Sequence, residues 1–215
     1  ILNQLLIKKH DSYNTAALTE LPIGDSKADF IMINGRGVVY EIKTDLDNLL
    51  RLENQIKDYY KVFSYVYVVV GNKQLSHVKE FLKDQKVGIY ELTASGKLIC
   101  RKKALCNKEN LSYEAMFQVL RKAEFESILL KHFHKLPEVN SFQYYRECQK
   151  WLERVNIITL QKDVMKCLKA RTLMLVENKL EEKVPYELRF YAYFSKKINS
   201  NYQEINTFWN ARMEG

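Results

Sequence analysis

The stretch ADFIMINGRGVVYEIK, residues 28–43, decides the fold of this chain. Two apolar, β-rich runs, 28–33 and 38–43, flank residues 34–37, whose asparagine and glycines are typical of a tight turn. The stretch therefore predicts a strand-turn-strand hairpin. Asp29, Glu41 and Lys43 interrupt runs whose other residues are typical of buried strands. Because burying an unpaired carboxylate is costly, charges at these positions indicate a chemical role.

The spacing of the charges assigns them to faces of the hairpin. Residues two apart on a strand point to the same side, so Glu41 and Lys43 project together. Asp29, on the partner strand, would lie on the other face if the loop were a plain two-residue turn. We therefore predict an odd loop or a bulge within residues 34–37, which brings Asp29 to the face of Glu41.

Asp29, Glu41 and Lys43 have the chemistry of a metal-dependent phosphodiesterase site. Two carboxylates that meet repel each other unless a cation lies between them, and oxygen ligands suit Mg²⁺ or Mn²⁺. Lys43 would hold or deprotonate the attacking water and offset the charge that builds on the phosphorane. The alternative is that Glu-x-Lys is an exposed ion pair with no catalytic role.

Two further segments extend this pattern. Glu20 precedes the hairpin, and QIKDY at residues 55–59 places Gln55 and Tyr59 about one turn apart on the helix predicted after it. With the acids and the lysine of the hairpin, these residues resemble the motifs of the PD-(D/E)XK nuclease superfamily. The Gln-x-x-x-Tyr spacing resembles the RecB-like and Cas4-like branches, and the similarity extends to small bacterial and phage-associated members over the N-terminal half of the chain.

The resemblance implies a restriction-endonuclease-like α/β fold, a mixed sheet flanked by helices, and a hydrolytic site that uses Mg²⁺ or Mn²⁺. The implied catalytic residues are Asp29, Glu41, Lys43 and Glu20. The implied metal ligands are Asp29, Glu41 and Glu20, and the implied substrate-binding residues are Gln55, Tyr59 and Arg51. Ala28 stands where the name-giving motif has a proline, which many members lack.

The helix after the hairpin is predicted to begin at Thr44 as N-cap, with Asp47 in the first turn, where the helix dipole favours anions. Apolar residues at helical spacing within 49–63 predict a face that packs on the sheet. A polar stripe on the same helix contains Arg51, Gln55 and Tyr59. Tyr59 belongs to both stripes, so a core aromatic and a substrate contact are equally open for it.

The rest of the chain predicts an α/β core followed by a helical half. Further strands are predicted at 17–21, 65–70, 87–92 and 97–102, and a short helix at 76–83. The continuous apolar run 65–70 is typical of a strand buried on both faces, so we expect helices on both sides of the sheet. Helical periodicity dominates after Lys103, with breaks at Pro137 and Pro185. We therefore predict a nuclease-like domain at 1–104 and a helical domain at 105–215.

Aromatic and basic residues alternate within 186–209, near the end of the helical half. Aromatics among cations can stack on bases and hold phosphates. Burial is the more common fate of such a cluster, so we favour a core or a homo-oligomer interface for it.

Charge and cysteine usage set wider limits. Lys and Arg number 34 against 26 Asp and Glu, a net charge of +8 that favours an anionic partner and is spread over both halves. The four cysteines form no Cys-x-x-Cys pair, and we find no secretory signal or long apolar span, which predicts a reduced cytoplasmic protein without a membrane segment. His132 and His134 would point about 200° apart on a helix, which disfavours a metal site there.

These observations predict a Mg²⁺- or Mn²⁺-dependent nuclease whose partner is nucleic acid, with DNA as the expected substrate. One alternative is a catalytically silent nuclease fold that binds nucleic acid or regulates. Another is a phage or mobile-element protein that binds a second protein. The intact set of Asp29, Glu41 and Lys43 favours activity.

Overall fold

The computed structural model describes residues 15–173. The sheet has six strands in the order β1-β2-β3-β4-β5-β6 and is mixed, with helices flanking it and a helical region after it. The strands are β1 (Ala16–Ile23), β2 (Ser26–Asn34), β3 (Arg36–Lys43), β4 (Tyr65–Gly71), β5 (Gly88–Leu92) and β6 (Leu98–Lys102). The α/β fold predicted from the sequence is confirmed.

The turn between β2 and β3 has the odd length that the site requires. Asn34 pairs with Arg36 across Gly35, whose φ of +68° is a left-handed conformation that glycine adopts without strain. The antiparallel register runs back to the pair of Phe30 and Tyr40. The pairing ends there, but the same register continued by one residue sets Asp29 level with Glu41, so the predicted odd turn is confirmed.

Strands β3, β4 and β5 are parallel, and the crossovers between them are the helices α1 (Leu52–Tyr60) and α2 (Asn72–Phe81). The valine-rich β4 is buried along most of its length, as its apolar run predicted. Helix α2 begins four residues before its predicted start. Strand β3 therefore lies between β2 and β4 in the interior of the sheet, and α1 packs on β2.

The helix predicted to begin at Thr44 begins later. Asp47 accepts hydrogen bonds from the amide and the hydroxyl of Thr44, at 2.6 and 2.7 Å, and this turn ends the strand without starting a helix. Asn48 caps a 3-10 turn, Leu49–Arg51, which leads into α1. The N-cap assignment to Thr44 was wrong because the Asp47 side chain satisfies the groups of Thr44 locally.

The helical region contains α3 (Tyr113–Gln118), α4 (Lys122–Phe133), α5 (Ser141–Leu152) and α6 (Ile157–Leu173). Pro137 lies between α4 and α5, where a break was predicted. Helix α6 packs back on β1, β2 and β3, and one apolar core joins the sheet to these helices across residue 104. A division into domains at that residue stays a prediction. Pro185, the aromatic cluster 186–209 and the predicted oligomer interface lie outside the described residues.

Gly37 in β3 makes the close approach of α6 possible. A Cβ at this position would overlap the Sδ atom of Met165 on α6 and the ring of Phe63. The helix therefore rests directly on the backbone of the strand that carries Glu41 and Lys43.

A second cluster lies on the other face of the sheet and includes Phe30 and the ring contacts of Tyr40, Tyr67 and Tyr90. Within residues 15–173 the members of this cluster are all sheet residues, and the described helices pack on the first face. The expectation of helices on both faces is thus met on one face only in this part of the chain.

Candidate active site

A hydrogen-bonded network centres on the carboxylate of Glu41, which is 1% exposed at the carboxyl end of β3. Lys43 Nζ lies 2.8 Å from Glu41 Oε1 and 2.9 Å from Gln55 Oε1. Gln55 Nε2 donates to the same oxygen of Glu41 at 2.5 Å. The strand and α1 thus bring the predicted Glu, Lys and Gln into one contact set.

Tyr59, one turn after Gln55 on α1, completes the contacts of Glu41. Its hydroxyl lies 2.6 Å from Glu41 Oε2 and 3.0 Å from the backbone carbonyl of Lys27. The side chain is fully buried. Tyr59 is therefore a core aromatic whose hydroxyl holds Glu41, and its contact with substrate stays a prediction.

Asp29 lies where β2 separates from β3. The paired register ends at Phe30 and Tyr40, and the Asp29 Oδ2 atom accepts the backbone amide of Ile42 at 2.8 Å. The carboxylate thereby takes the place of a strand carbonyl. Within residues 15–173 the Oδ1 atom of Asp29 accepts no hydrogen bond, so one oxygen is available to a ligand.

The carboxyl groups of Asp29, which is half-buried, and Glu41, which is buried, repel each other, and both have raised pKa values. Burial raises the pKa of Glu41, hydrogen bonds from Lys43 and Tyr59 oppose this, and the charge of Asp29 adds to it, with a net raised pKa. Burial also raises the pKa of Asp29, against the amide of Ile42 and the charge of Lys43. Glu20 and Asp47 raise the pKa of Asp29 further. A bound cation would relieve this repulsion.

Glu20 lies beside the network and outside it. The register of β1 on β2 pairs Thr19 with Phe30 and Leu21 with Ala28, which places Glu20 opposite Asp29. Its φ of 57° is left-handed, an uncommon conformation for a residue with a side chain. The Glu20 carboxylate is about half exposed and forms an ion pair with Lys27.

Arg51 is exposed at the end of the 3-10 turn, and in the part of the chain that the structure describes it forms no hydrogen bond or ion pair with the network. Sequence reasoning missed two contributors. One is Asp47, whose charge raises the pKa of Asp29 and which the sequence assigned to a helix. The other is the backbone carbonyl of Lys27, which accepts from Tyr59 and which no side-chain pattern reveals.

Asp29 and Glu41 are ligands of the type that a hard divalent ion prefers, but they are few in number. Among residues 15–173, no group of three or more His, Cys, Asp or Glu side chains is placed to hold a metal ion. Asp29 and Glu41 supply two carboxylates whose pKa values are raised, and Mg²⁺ is commonly held by one or two carboxylates with water and substrate phosphate. The two carboxylates are thus compatible in chemistry with Mg²⁺ or Mn²⁺, and metal binding here stays a prediction.

Comparison with known proteins places the chain in a phage family. The family model described as bacteriophage P4 protein cII matches residues 1–185. The chain belongs to this family. The expected phage association is thus shown, whereas the resemblance to PD-(D/E)XK nucleases stays a prediction.

Other comparisons add little. The structure of Pyrococcus furiosus SfsA in complex with Ca²⁺ matches at 15% identity with a TM-score of 0.29, over 47% of this chain and 58% of that one. The match spans little more than half of the SfsA chain, and a similarity at this level carries no argument about function. No curated protein matches the chain significantly.

The remaining sequence predictions have simple outcomes. His132 Nε2 lies 2.8 Å from Asp163 Oδ2, whereas His134 caps the end of α4 in a left-handed conformation. All four cysteines are free. Among the described helices, none combines the length and the apolar character needed to cross a bilayer.

Proposed function

We propose that this phage P4 cII family protein is a Mg²⁺- or Mn²⁺-dependent nuclease that hydrolyses phosphodiester bonds, with DNA as its substrate. The observation that carries the proposal is the contact set of Glu41, Lys43 and Gln55 beside the second acid, Asp29. A part-buried lysine next to two carboxylates is the arrangement that the sequence predicted for phosphodiester chemistry, and raised carboxyl pKa values such as those of Asp29 and Glu41 are common at functional sites.

Each side chain has a role that its position supports. Asp29 Oδ1 and Glu41 would hold the metal ion, which when bound would offset their charge and polarise a substrate phosphate oxygen. Lys43, with 10% of its side chain exposed, would hold the attacking water and stabilise negative charge developing on the phosphate.

The neighbours of Glu41 would act as positioning residues. Gln55 bridges Lys43 and Glu41, which fixes the direction of the ammonium group. Tyr59 holds the second oxygen of Glu41 from within the core. Glu20 is proposed as an additional ligand that reaches the ion directly or through water once its ion pair with Lys27 opens. Arg51 is proposed as an outer contact for substrate.

A second candidate function is nucleic-acid binding or regulation without cleavage. One observation favours it: both oxygens of Glu41 already accept hydrogen bonds from protein groups. A carboxylate satisfied in this way can serve the fold alone, as buried ion pairs do.

A cleavage assay separates the two functions. Linear, circular and single-stranded DNA, and RNA of the same sequence, are incubated with the protein and Mg²⁺, Mn²⁺ or EDTA. We expect metal-dependent products from DNA with the wild type and none with Lys43→Ala, since the variant loses the group that holds the water.

Arg101→Ala is the matched control. Arg101 lies 2.5 Å from the buried carboxylate of Glu91 in the same sheet, so this variant also removes the cation of a buried pair. It should cleave like the wild type. Equal cleavage by wild type and Lys43→Ala, or no cleavage of any substrate with either metal, would favour the binding function.

A further inference from the structure

A basic groove of about 620 Å³ lies at the end of the sheet opposite the candidate active site. Its walls are the turn between β2 and β3, the start of β4 and one side of α6. Gly37 lines the groove and Lys43 belongs to the site, six residues along the same strand. The two regions are therefore about 20 Å apart.

Six of the seventeen described residues that line this groove are lysine or arginine. Lys162, Lys166 and Lys169 recur at i, i+4 and i+7 and so share one side of α6. Further cations line the groove from other elements: Arg36, Lys108 and Lys131. Within residues 15–173, the three lysines of α6 and Lys108 form no ion pair.

Asp163 is the acidic residue in the lining, and its charge is already compensated. It is 4% exposed and accepts hydrogen bonds from Lys131 Nζ and, at 2.8 Å, from His132 Nε2. Like charges one turn apart on a helix repel each other, so an anion bound beside the uncompensated lysines of α6 would relieve that repulsion.

We propose that this groove binds the phosphodiester backbone of a nucleic acid, away from the point of cleavage. The inference rests on the nucleic-acid part of the proposed function and does not require hydrolysis. Lys162 and Lys166 are about 6 Å apart along the helix axis, which suits a polymer that carries regularly repeated charges. The Arg36 guanidinium lies 4.5 Å from the centre of the Tyr65 ring, and this planar pair suits an exposed base better than an acidic peptide.

Binding is measured in EDTA, so that cleavage cannot interfere, by fluorescence anisotropy of a labelled duplex and a labelled single strand at several salt concentrations. We expect Lys162→Glu with Lys166→Glu to weaken binding on the order of a hundredfold at low salt. The slope of log affinity against log salt should fall by about two units, because two phosphate contacts are lost. Glutamine at both positions should produce a smaller loss in the same direction.

Lys79→Glu with Lys83→Glu is the matched control, because it makes the same charge change at lysines that do not line the groove. It should weaken binding less than about threefold. Equal losses in groove and control variants would show diffuse attraction and overturn the groove assignment. Competition by polyglutamate as effective as competition by DNA would also overturn it, in favour of an acidic protein partner.

The outcome for the groove is distinct from the outcome for the proposed function. Full binding by the groove variant, with wild-type cleavage, overturns the groove alone. Groove-dependent binding by a wild type that cleaves nothing supports the groove and refutes the nuclease. No binding of either probe at low salt refutes both.

Discussion

Glu41 and Asp163 are both buried carboxylates, yet their surroundings shift their pKa values in opposite directions. Burial alone would raise the pKa of Asp163, but hydrogen bonds from Lys131 and His132 outweigh it and lower that pKa. Glu41 has Lys43 and Tyr59 as donors, but burial and the charge of Asp29 keep its pKa raised. Asp163 is thus held by two donors, whereas Asp29 and Glu41 share one cation, Lys43. This difference is what motivates the proposal of a further cation at Asp29 and Glu41.

The largest expected difference in cleavage rate is between Asp→Asn at position 29 and Asp→Asn at position 163. Asp29→Asn should lower the rate of DNA cleavage by at least about a hundredfold, because a proposed metal ligand loses its charge. At saturating DNA, Asp163→Asn should leave the rate within about twofold of wild type, since Asp163 lies away from the candidate active site. Initial rates under saturating Mg²⁺ measure both effects. A fully active Asp29→Asn variant would remove Asp29 from the site.

Metal binding should distinguish the same two positions without any cleavage. Mg²⁺ at about 100 times its Kd should stabilise the wild type by about 2.7 kcal/mol, seen as a higher Tm than in EDTA. Asp163→Asn should retain this increase and Asp29→Asn should lose it. An equal increase in both variants would place the ion elsewhere.

Stability without metal should change in the opposite sense to activity. Asp163→Asn should lower the free energy of unfolding by about 1–3 kcal/mol at pH 7, since it breaks charged hydrogen bonds of a buried group. Asp29→Asn should raise that free energy by a smaller amount, because it removes a half-buried charge whose pKa is raised.

The pH dependence of these two effects follows from the sign of each shift. The stabilisation from Asp163 is present above its ordinary pKa of 3.8 and is lost as the pH falls through its lower folded value. The penalty from Asp29 appears as the pH rises from 3.8 through its raised folded value. Urea unfolding at a series of pH values should therefore show both variants converging with the wild type in strong acid.

The smallest contrast concerns neighbouring tyrosines on α1. Tyr59→Phe removes a donor that lowers the pKa of Glu41, so the acidic limb of the cleavage profile should move to higher pH and the maximum rate should fall by about tenfold or less. Tyr60→Phe is the control, since the Tyr60 hydroxyl is buried and has no hydrogen-bond partner within the described residues. Its profile should match that of the wild type. Identical profiles for the two variants would make Tyr59 purely structural.

The sequence was sufficient to predict most of the sheet and several of the side chains that lie together at the end of β3, while their roles stay a prediction. Alternation of apolar residues identifies strands, and the requirement that Asp29 and Glu41 share a face was enough to predict the odd turn at Gly35. The helical spacing of Gln55 and Tyr59 placed both on α1. These are local patterns, which depend only on the periodicity of a strand or a helix.

The features that could not be predicted depend on contacts between distant segments. The turn at Thr44 is also held from α2 by Gln74, whose side-chain amide donates to the backbone carbonyls of Thr44 and Asp47, and local propensity alone favours a helix cap there as well. The basic groove joins residues 36, 108 and 162, and its lysines had been counted only as diffuse charge. Their i, i+4 and i+7 spacing was present in the sequence, but nothing local showed which elements they would face.

Gly37 has a consequence for how this chain can vary. A Cβ at this position would overlap the side chains of Met165 and Phe63, while Glu41 and Lys43 follow on the same strand, so even the methyl group of an alanine would force that packing to shift. Gly35 is different, because a Cβ there would meet no atom within 4 Å and only its left-handed backbone disfavours a side chain. In a library of random variants, Asn or Asp should survive at 35 while 37 admits glycine alone. Position 37 would then mark where mutational tolerance in one half of the protein is limited by the packing of the other.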